Sequence, residues 1–501
     1  MNKYILPLLL NLLVVTTATA ENPPLKLSLK EAVKLALERN LDLKAELYNT
    51  AQAEADIRKN RSIYETHLTL DTSYQEATRY SPNANALGLQ DNYDQSTFII
   101  TPGGYQLLPT GGTVGLAYQN VKETNSTTGA TALGSYWTSS LGLTLNQPLL
   151  KNFGRDATEL NIKVAEVSKT TSLSHLKSRI LATVAQVRTE YFKLVGYRED
   201  LESRKASLEL AQKVLSETDA RVNAGVLPAM DILNSQFGVA SREKELIDAE
   251  KAVSDQVDIL SQLILLEKVT DIVPSDKPDR ATIVMIEEDA LNKALSIRPE
   301  FDELKGQLQS YELQAKVARS QTLPSLNLIS SVALTGLDRD YDRNSERLGS
   351  LDYPAWSVGL QFDYPLGNQA AESDYVKSRL KVEQTKVQLE NLRSIIENEV
   401  KIAIRGVTSS YKQLDVADRG RRFADERVKS YMKKVEVGLA TTKDLLDVEN
   451  DLVAARTNQI KAEALYAVSL NQYWKSTGEL LEREGIHIDS SGADALYKEV
   501  K

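Results

Sequence analysis

The 501-residue chain has no cysteine and only three histidines, His67, His175 and His487, which lie far apart along it. Thiol nucleophiles, disulfides and thiolate metal sites are excluded together, and histidine-based metal or acid–base chemistry has little material to draw on. A basic surplus is missing as well, since 60 Lys and Arg face 69 Asp and Glu, a formal net charge of −9. Phosphate backbones want a basic stripe, and none stands out, so nucleic acid is not an expected partner. Proline is absent from 149 to 227 and again after Pro365, which permits long unbroken helices. Long apolar runs are also lacking: beyond residue 20 none approaches the roughly 20 residues of a spanning helix.

The first twenty residues differ from the rest. Lys3 precedes a mostly apolar run from Ile5 to Val15, and Ala18-Thr19-Ala20 has the small-x-small form of a signal-peptidase site. A cleaved secretory signal over 1–20 is expected, with Ala18 and Ala20 at the cut, and no cysteine follows to carry a lipid anchor. The mature protein is then either soluble outside the inner membrane or crosses a membrane as strands.

What the chain does contain is self-similarity. VNAGVLPAMDILN at Val222–Asn234 returns as VEVGLATTKDLLD at Val435–Asp447, and at the same offset Val187, Leu201 and Ala211 meet Val400, Leu414 and Ala424. Nearer each copy's start, Ala32, Ala36 and Leu68 meet Ala290, Ala294 and Leu326 at a larger offset. Most of the difference falls between Leu68 and Pro148, a Ser/Asn/Thr/Gly-rich insertion in the first copy that suits a surface loop.

Within each copy the period switches. Val187, Leu194, Leu201, Leu208, Leu215 and Val222 are seven apart, and Val400, Val407, Leu414, Val428 and Val435 continue the pattern with one break at Arg421. These spacings predict long helices with a heptad seam, locally more solvated at Arg421. Before Pro148 and Pro365 the period is two: Trp137, Leu141, Leu143 and Leu145 alternate with small or polar residues, as do Trp356, Val358, Leu360 and Phe362. With partners beginning at Leu68 and Leu326, they predict two hairpins with one oily and one wet face. GTVGLAY, Gly112–Tyr118, reads as part of an enlarged loop hairpin. Four strands cannot close a membrane barrel alone, whereas an oligomer sharing its strands can.

A signal, duplicated halves, a strand hairpin in each, heptad helices and two tips of the form G-x5-D together resemble the TolC family of outer-membrane efflux channels. The resemblance runs from Leu25 to about Glu484 and is carried also by LSLKEAVKLALERNLDL, QPLL and YPLG. It implies a mainly α fold with a β membrane part: long coiled-coil helices forming a trimeric α-barrel, and four strands per protomer in a shared twelve-stranded β-barrel. It implies a passive homotrimeric duct, with no cofactor, running from the periplasm through the outer membrane. A periplasmic adaptor protein and an inner-membrane pump are the implied partners.

On this plan the chain divides into the signal at 1–20, first-repeat helices at 21–65, a first β-hairpin with a long extracellular insertion at 66–148, and a first helical hairpin at 149–266. A linker in the equatorial region at 267–285, second-repeat helices at 286–323, a second β-hairpin at 324–366, a second helical hairpin at 367–484 and a tail at 485–501 follow.

The resemblance places the two G-x5-D phrases at the periplasmic tips of the helical hairpins. It carries axis-facing gate aspartates onto Asp444 and Asp447, with Asp231 and Asn234 at the matching positions of the first copy. Thr441-Thr442-Lys443-Asp444 equally has the form of a capping box, which suffices to explain Asp444. The basic residue that the family often places after the glycine is absent, since Leu439-Ala440 stands there. Adaptor contact falls on Ala224, Gly225 and Val226, and on Val437, Gly438 and Leu439, residues that simple turn chemistry also accounts for. Two other readings remain open: a conduit of the same architecture for type I protein secretion, and a soluble periplasmic coiled-coil scaffold. No nucleophile–base constellation points to an enzyme.

Overall fold

The computed structural model describes residues 24–80, 92–126, 134–266 and 271–500, so the expected cleavage residues Ala18 and Ala20 fall outside it. Two compact units share the chain: Met1–Leu41, Ile180–Ala290 and Glu399–Ile486 form one, and Asp42–Arg179, Leu291–Asn398 and His487–Lys501 the other. Four long helices dominate: α1 (Leu160–Asn223), α2 (Met230–Leu263), α3 (Gln369–Glu436) and α4 (Thr442–Thr477). The proline-free stretches are the sequence reason for α1 and α3, of 64 and 68 residues, because nothing within them removes a donor from the i→i−4 ladder.

In the first unit the strands Leu25–Leu27 and Ile272–Pro274 pair in parallel. The core beside them holds Leu27, Ala36, Tyr191, Leu194, Leu260 and Ile272, none more than 2% exposed. Tyr191 ties this core to the backbone, its hydroxyl donating to the carbonyl of Leu27 (2.9 Å) and accepting from the N–H groups of Ser275 and Asp276 (3.2 Å each). The heptad seam of α1 drifts. Val187, Leu194 and Leu201 are buried, but towards the helix end burial passes from Leu208 and Leu215 to Ala211, Val214 and Thr218. In α3, Val400, Val407, Leu414 and Val428 are buried, and Arg421 is half-buried with its Nε shielded from solvent, so the break in the seam is not simply an opening to water.

The second unit corrects the expected strand count. Among the described residues its sheet has six antiparallel strands in chain order, not four: β1 (His67–Tyr80), β2 (Asn92–Leu107), β3 (Thr113–Asn125), β4 (Ser135–Pro148), β5 (Ser325–Asp338) and β6 (Pro354–Asp363). The insertion read as a loop thus supplies β2 and β3, with Gly112–Tyr118 lying largely in β3. Its alternation was masked by Phe98-Ile99-Ile100 in succession and by Pro102-Gly103-Gly104, residues that normally argue against a central strand. Pro102 is accommodated because it pairs with Leu70 of β1 while the β2–β3 register skips Thr101 and Pro102. Gly103 is needed there for close approach: a Cβ would lie 3.0 Å from the Leu116 carbonyl oxygen.

The register sorts the six strands into two faces. Leu70, Phe98, Leu116, Leu143, Val332 and Leu360 share one face, each at least 37% exposed. Asp71, Thr101, Ala117, Thr144, Ser331 and Ser357 lie on the other. A helix at Tyr341–Gly349, between β5 and β6, covers one end of the apolar face. Beneath it runs a buried polar chain, Asn344 donating to Ser139 and Ser139 to Asn120 (2.6 Å), while the Asn344 side-chain oxygen is left without a partner.

Candidate functional site

Both helical hairpins turn by the same backbone device. At the end of α1, Gly225 takes φ +72°, its N–H donates to Val222 and that of Val226 to Arg221, both at 2.9 Å. At the end of α3, Gly438 takes φ +77°, its N–H donates to Val435 (3.2 Å) and that of Leu439 to Lys434 (2.7 Å). These paired bonds are the Schellman arrangement, which uses up the orphan carbonyls of the last turn and needs a left-handed residue at the glycine. The apolar residue after each glycine stays in solvent: Val226 is 71% and Leu439 77% exposed, with Val437 at 69%. Ala224, Gly225 and Gly438 are exposed as well.

The return helices begin differently. Thr441 caps α4: its hydroxyl accepts from the Asp444 N–H (3.1 Å), and Asp444 Oδ2 accepts from the Thr441 N–H (2.9 Å) and hydroxyl (2.7 Å). The Thr441 hydroxyl, then its backbone N–H, hold the Asp444 carboxyl below the usual carboxylate range. Pro228 stands at the matching place in the first hairpin, so α2 starts without a side-chain cap and Asp231 sits half-buried in its first turn. Asp447 is exposed on α4, as is Asn234 on α2. The structure therefore gives Asp444 a capping partner and leaves Asp447 facing solvent.

A few turns from the tips lies a cluster that the repeat could not reveal. Arg242 of α2 and Glu449 of α4 are 5% and 3% exposed. Arg242 donates to the Gly238 carbonyl (3.2 Å) and to Asn450 Oδ1 (2.6 Å), joining the two return helices. Glu449 Oε1 is buried without a hydrogen-bond partner, and burial pushes its carboxyl up to about 6 against the opposing pull of Arg242. Ala455 and Gln236 stand at the same 213-residue offset in the other hairpin, so aligning the two hairpins gives no signal here; a charged residue at an inward helix position was the clue. Among the described residues no group of three or more His, Asp or Glu is placed to hold a metal ion, and no helix is long and apolar enough to cross a membrane.

Comparison with known proteins agrees with this geometry. The family model "Outer membrane efflux protein" matches residues 32–264 and 290–479. The pyoverdine export outer membrane protein OpmQ of Pseudomonas aeruginosa is 23% identical over 318 residues, a match spanning 61% of this chain and 64% of that protein, just under two thirds of its length. The outer membrane protein TolC of Salmonella enteritidis is 21% identical over 364 residues, 70% of this chain and 71% of its own. Among solved structures, the outer-membrane channel OprN superposes with a TM-score of 0.66 at 15% identity, covering 90% of this chain and 89% of that one. With its helical hairpins, amphipathic sheet and a family match over most of its length, the chain belongs to the outer membrane efflux protein family, the TolC-like outer-membrane channels.

Proposed function

We propose that the protein is the outer-membrane exit duct of a tripartite efflux system: a passive homotrimer, built from two copies of one structural plan, that receives small molecules from an inner-membrane pump. The observation that carries this reading is the six-stranded sheet, apolar and exposed on one face, polar on the other and open at both edges. Lipid does not tolerate unpaired backbone edges, so such a sheet is usable in a membrane only once copies close it into a barrel around a wet lumen. The exposed apolar residues Val226, Val437 and Leu439 at the helical tips suit docking of a periplasmic adaptor. Three copies would set Asp447, with Asp444 and Asp231 nearby in sequence terms of their own tips, as acidic rings that attract cations at a constriction. The capping bonds of Asp444 make Asp447 the stronger gate residue.

Two measurements test this. The purified mature protein should run as a trimer in detergent and give discrete conductance steps in planar bilayers; a water-soluble monomer that forms no pores sinks the reading. Asp444→Ala combined with Asp447→Ala should raise single-channel conductance and weaken cation preference. Unchanged conductance and selectivity remove the gate assignment alone.

A further inference from the structure

We infer that the β1 edge of one copy pairs with the β6 edge of the next in a defined register, so that three copies close an eighteen-stranded barrel. The inference rests on the trimeric duct proposed above and replaces the twelve strands implied by resemblance. Its first support is that the insertion is wall and not loop. β2 pairs with β1 through all 14 residues of that strand, and β3 pairs with β4 from Thr113 to Thr124. The inserted strands follow the pattern of the others over their part nearest His67, with Phe98, Ile100 and Leu116 on the apolar face and Thr101 and Gln119 on the polar one, where Ile99 and Val121 pair as an exception. A surface loop has no reason to match the faces of the strands on either side of it.

The second support is the stagger of the sheet. Followed across the strands, His67 lies opposite Tyr105, Tyr105 opposite Gly115, Gly115 opposite Thr144, Thr144 opposite Ser331, and Ser331 opposite Ser357. This line starts at the first residue of β1 and reaches β6 six residues before its last, Asp363 (363 − 357 = 6). If neighbouring copies stand level, Ser357 must meet the residue six beyond His67 in the next copy, which is Ser73 (67 + 6 = 73). One step of about six residues for each six strands is a shear equal to the strand number, the ratio that gives a tilt of about 36° in eight-stranded barrels, within the usual 35–45°.

The register makes a chemical forecast of its own, and the side chains meet it. With Ser73 opposite Ser357, Leu68 falls opposite Phe362, Leu70 opposite Leu360 and Tyr74 opposite Trp356, all apolar and all at least 64% exposed in the single chain. The whole of the ten-residue β6 edge is then covered by β1 from His67 onward. A slip of two residues in the direction of greater stagger sets Glu76 against Trp356, and a slip of one turns every oily side chain into the lumen. Since barrel diameter grows roughly in proportion to strand number, eighteen strands give a mouth about 1.5 times as wide as twelve.

The absence of cysteine makes the test direct. Of Ser73→Cys with Ser357→Cys, and separately Thr72→Cys with Val358→Cys, at least one should oxidise to a covalent species three times the chain mass on non-reducing denaturing gels. Adjacent cross-strand pairs alternate between wide and close spacing, so at least one of the two presents suitable geometry. Of Ser73→Cys with Ile99→Cys, and separately Thr72→Cys with Ile100→Cys, at least one should close within one chain, read as loss of free thiols without a change in mass. A native trimer in which both internal pairs stay reduced overturns the six-stranded wall. A native trimer in which an internal pair closes while neither edge pair does overturns the register. Cross-linking that stops at two chains, with a dimeric native mass, overturns the count of eighteen, and a monomer without conductance overturns the duct reading itself.

Discussion

Glu449 offers the sharpest test of the energetics near the tips. The side chain is 3% exposed, one carboxylate oxygen has no hydrogen-bond partner, and the nearby Arg242 spends hydrogen bonds on Gly238 and Asn450. Burial raises the carboxyl from about 4.5 to about 6, so the folded state favours the protonated form. The sign follows: stability from this group is fully present below about 4.5 and is lost as pH rises through about 6. A rise of about 1.5 pKa units corresponds to roughly 2 kcal/mol at pH 8. Glu449→Gln keeps the shape and removes the charge, so it should stabilise the packing of α2 on α4 by up to about 2 kcal/mol at pH 8 and change little at pH 4.5. Amide hydrogen exchange along α4, corrected for intrinsic rates, reads this locally: protection should rise by up to roughly 30-fold at pH 8 and hardly at all at pH 4.5. A fall in protection at pH 8 would refute the reasoning, because it would mean that ionised Glu449 is a net favourable partner of Arg242.

Three further outcomes are expected. Tyr191→Phe strands the Asp276 N–H, while the Ser275 N–H and the Leu27 carbonyl keep their bond to each other (3.0 Å), and it should cost about 1–3 kcal/mol, read as a lower denaturation midpoint with unchanged secondary structure. Thr441→Ala removes the α4 cap and should cost about 1 kcal/mol, seen as faster amide exchange at the start of α4 but not of α2, which has no such cap. Gly438→Ala and Gly225→Ala meet no neighbouring atom within 4 Å, so each should cost only the left-handed backbone penalty of about 1–2 kcal/mol, and Asn should cost less than Ala at either position. Equal losses for Ala and Asn would point to side-chain crowding instead.

Local signals were legible wherever one chain segment carries its own cause. The proline-free heptads gave α1 and α3, the glycines gave the two turns, and Thr441 three places before Asp444 gave a cap. The strands before Pro148 and Pro365 were readable because their alternation is unbroken. β2 was not, since Pro102 and Gly103-Gly104 normally end a strand and are tolerated here only through a skipped register on one side and close approach to Leu116. The parallel pair Leu25–Leu27 and Ile272–Pro274 was equally hidden, because three residues are too few to show a period.

The sequence by itself determined the helices, their turns and the two-faced character of the strands, since each follows from periodicity and backbone preference over a few neighbouring residues. Only the tertiary structure decided that the insertion joins the sheet, that the buried stripe of α1 moves from Leu208 to Ala211, and that Arg242 reaches Asn450 beside a buried Glu449. Those outcomes depend on which surfaces meet across more than two hundred residues of chain in the case of Arg242, and a local pattern carries no information about the partner it will face.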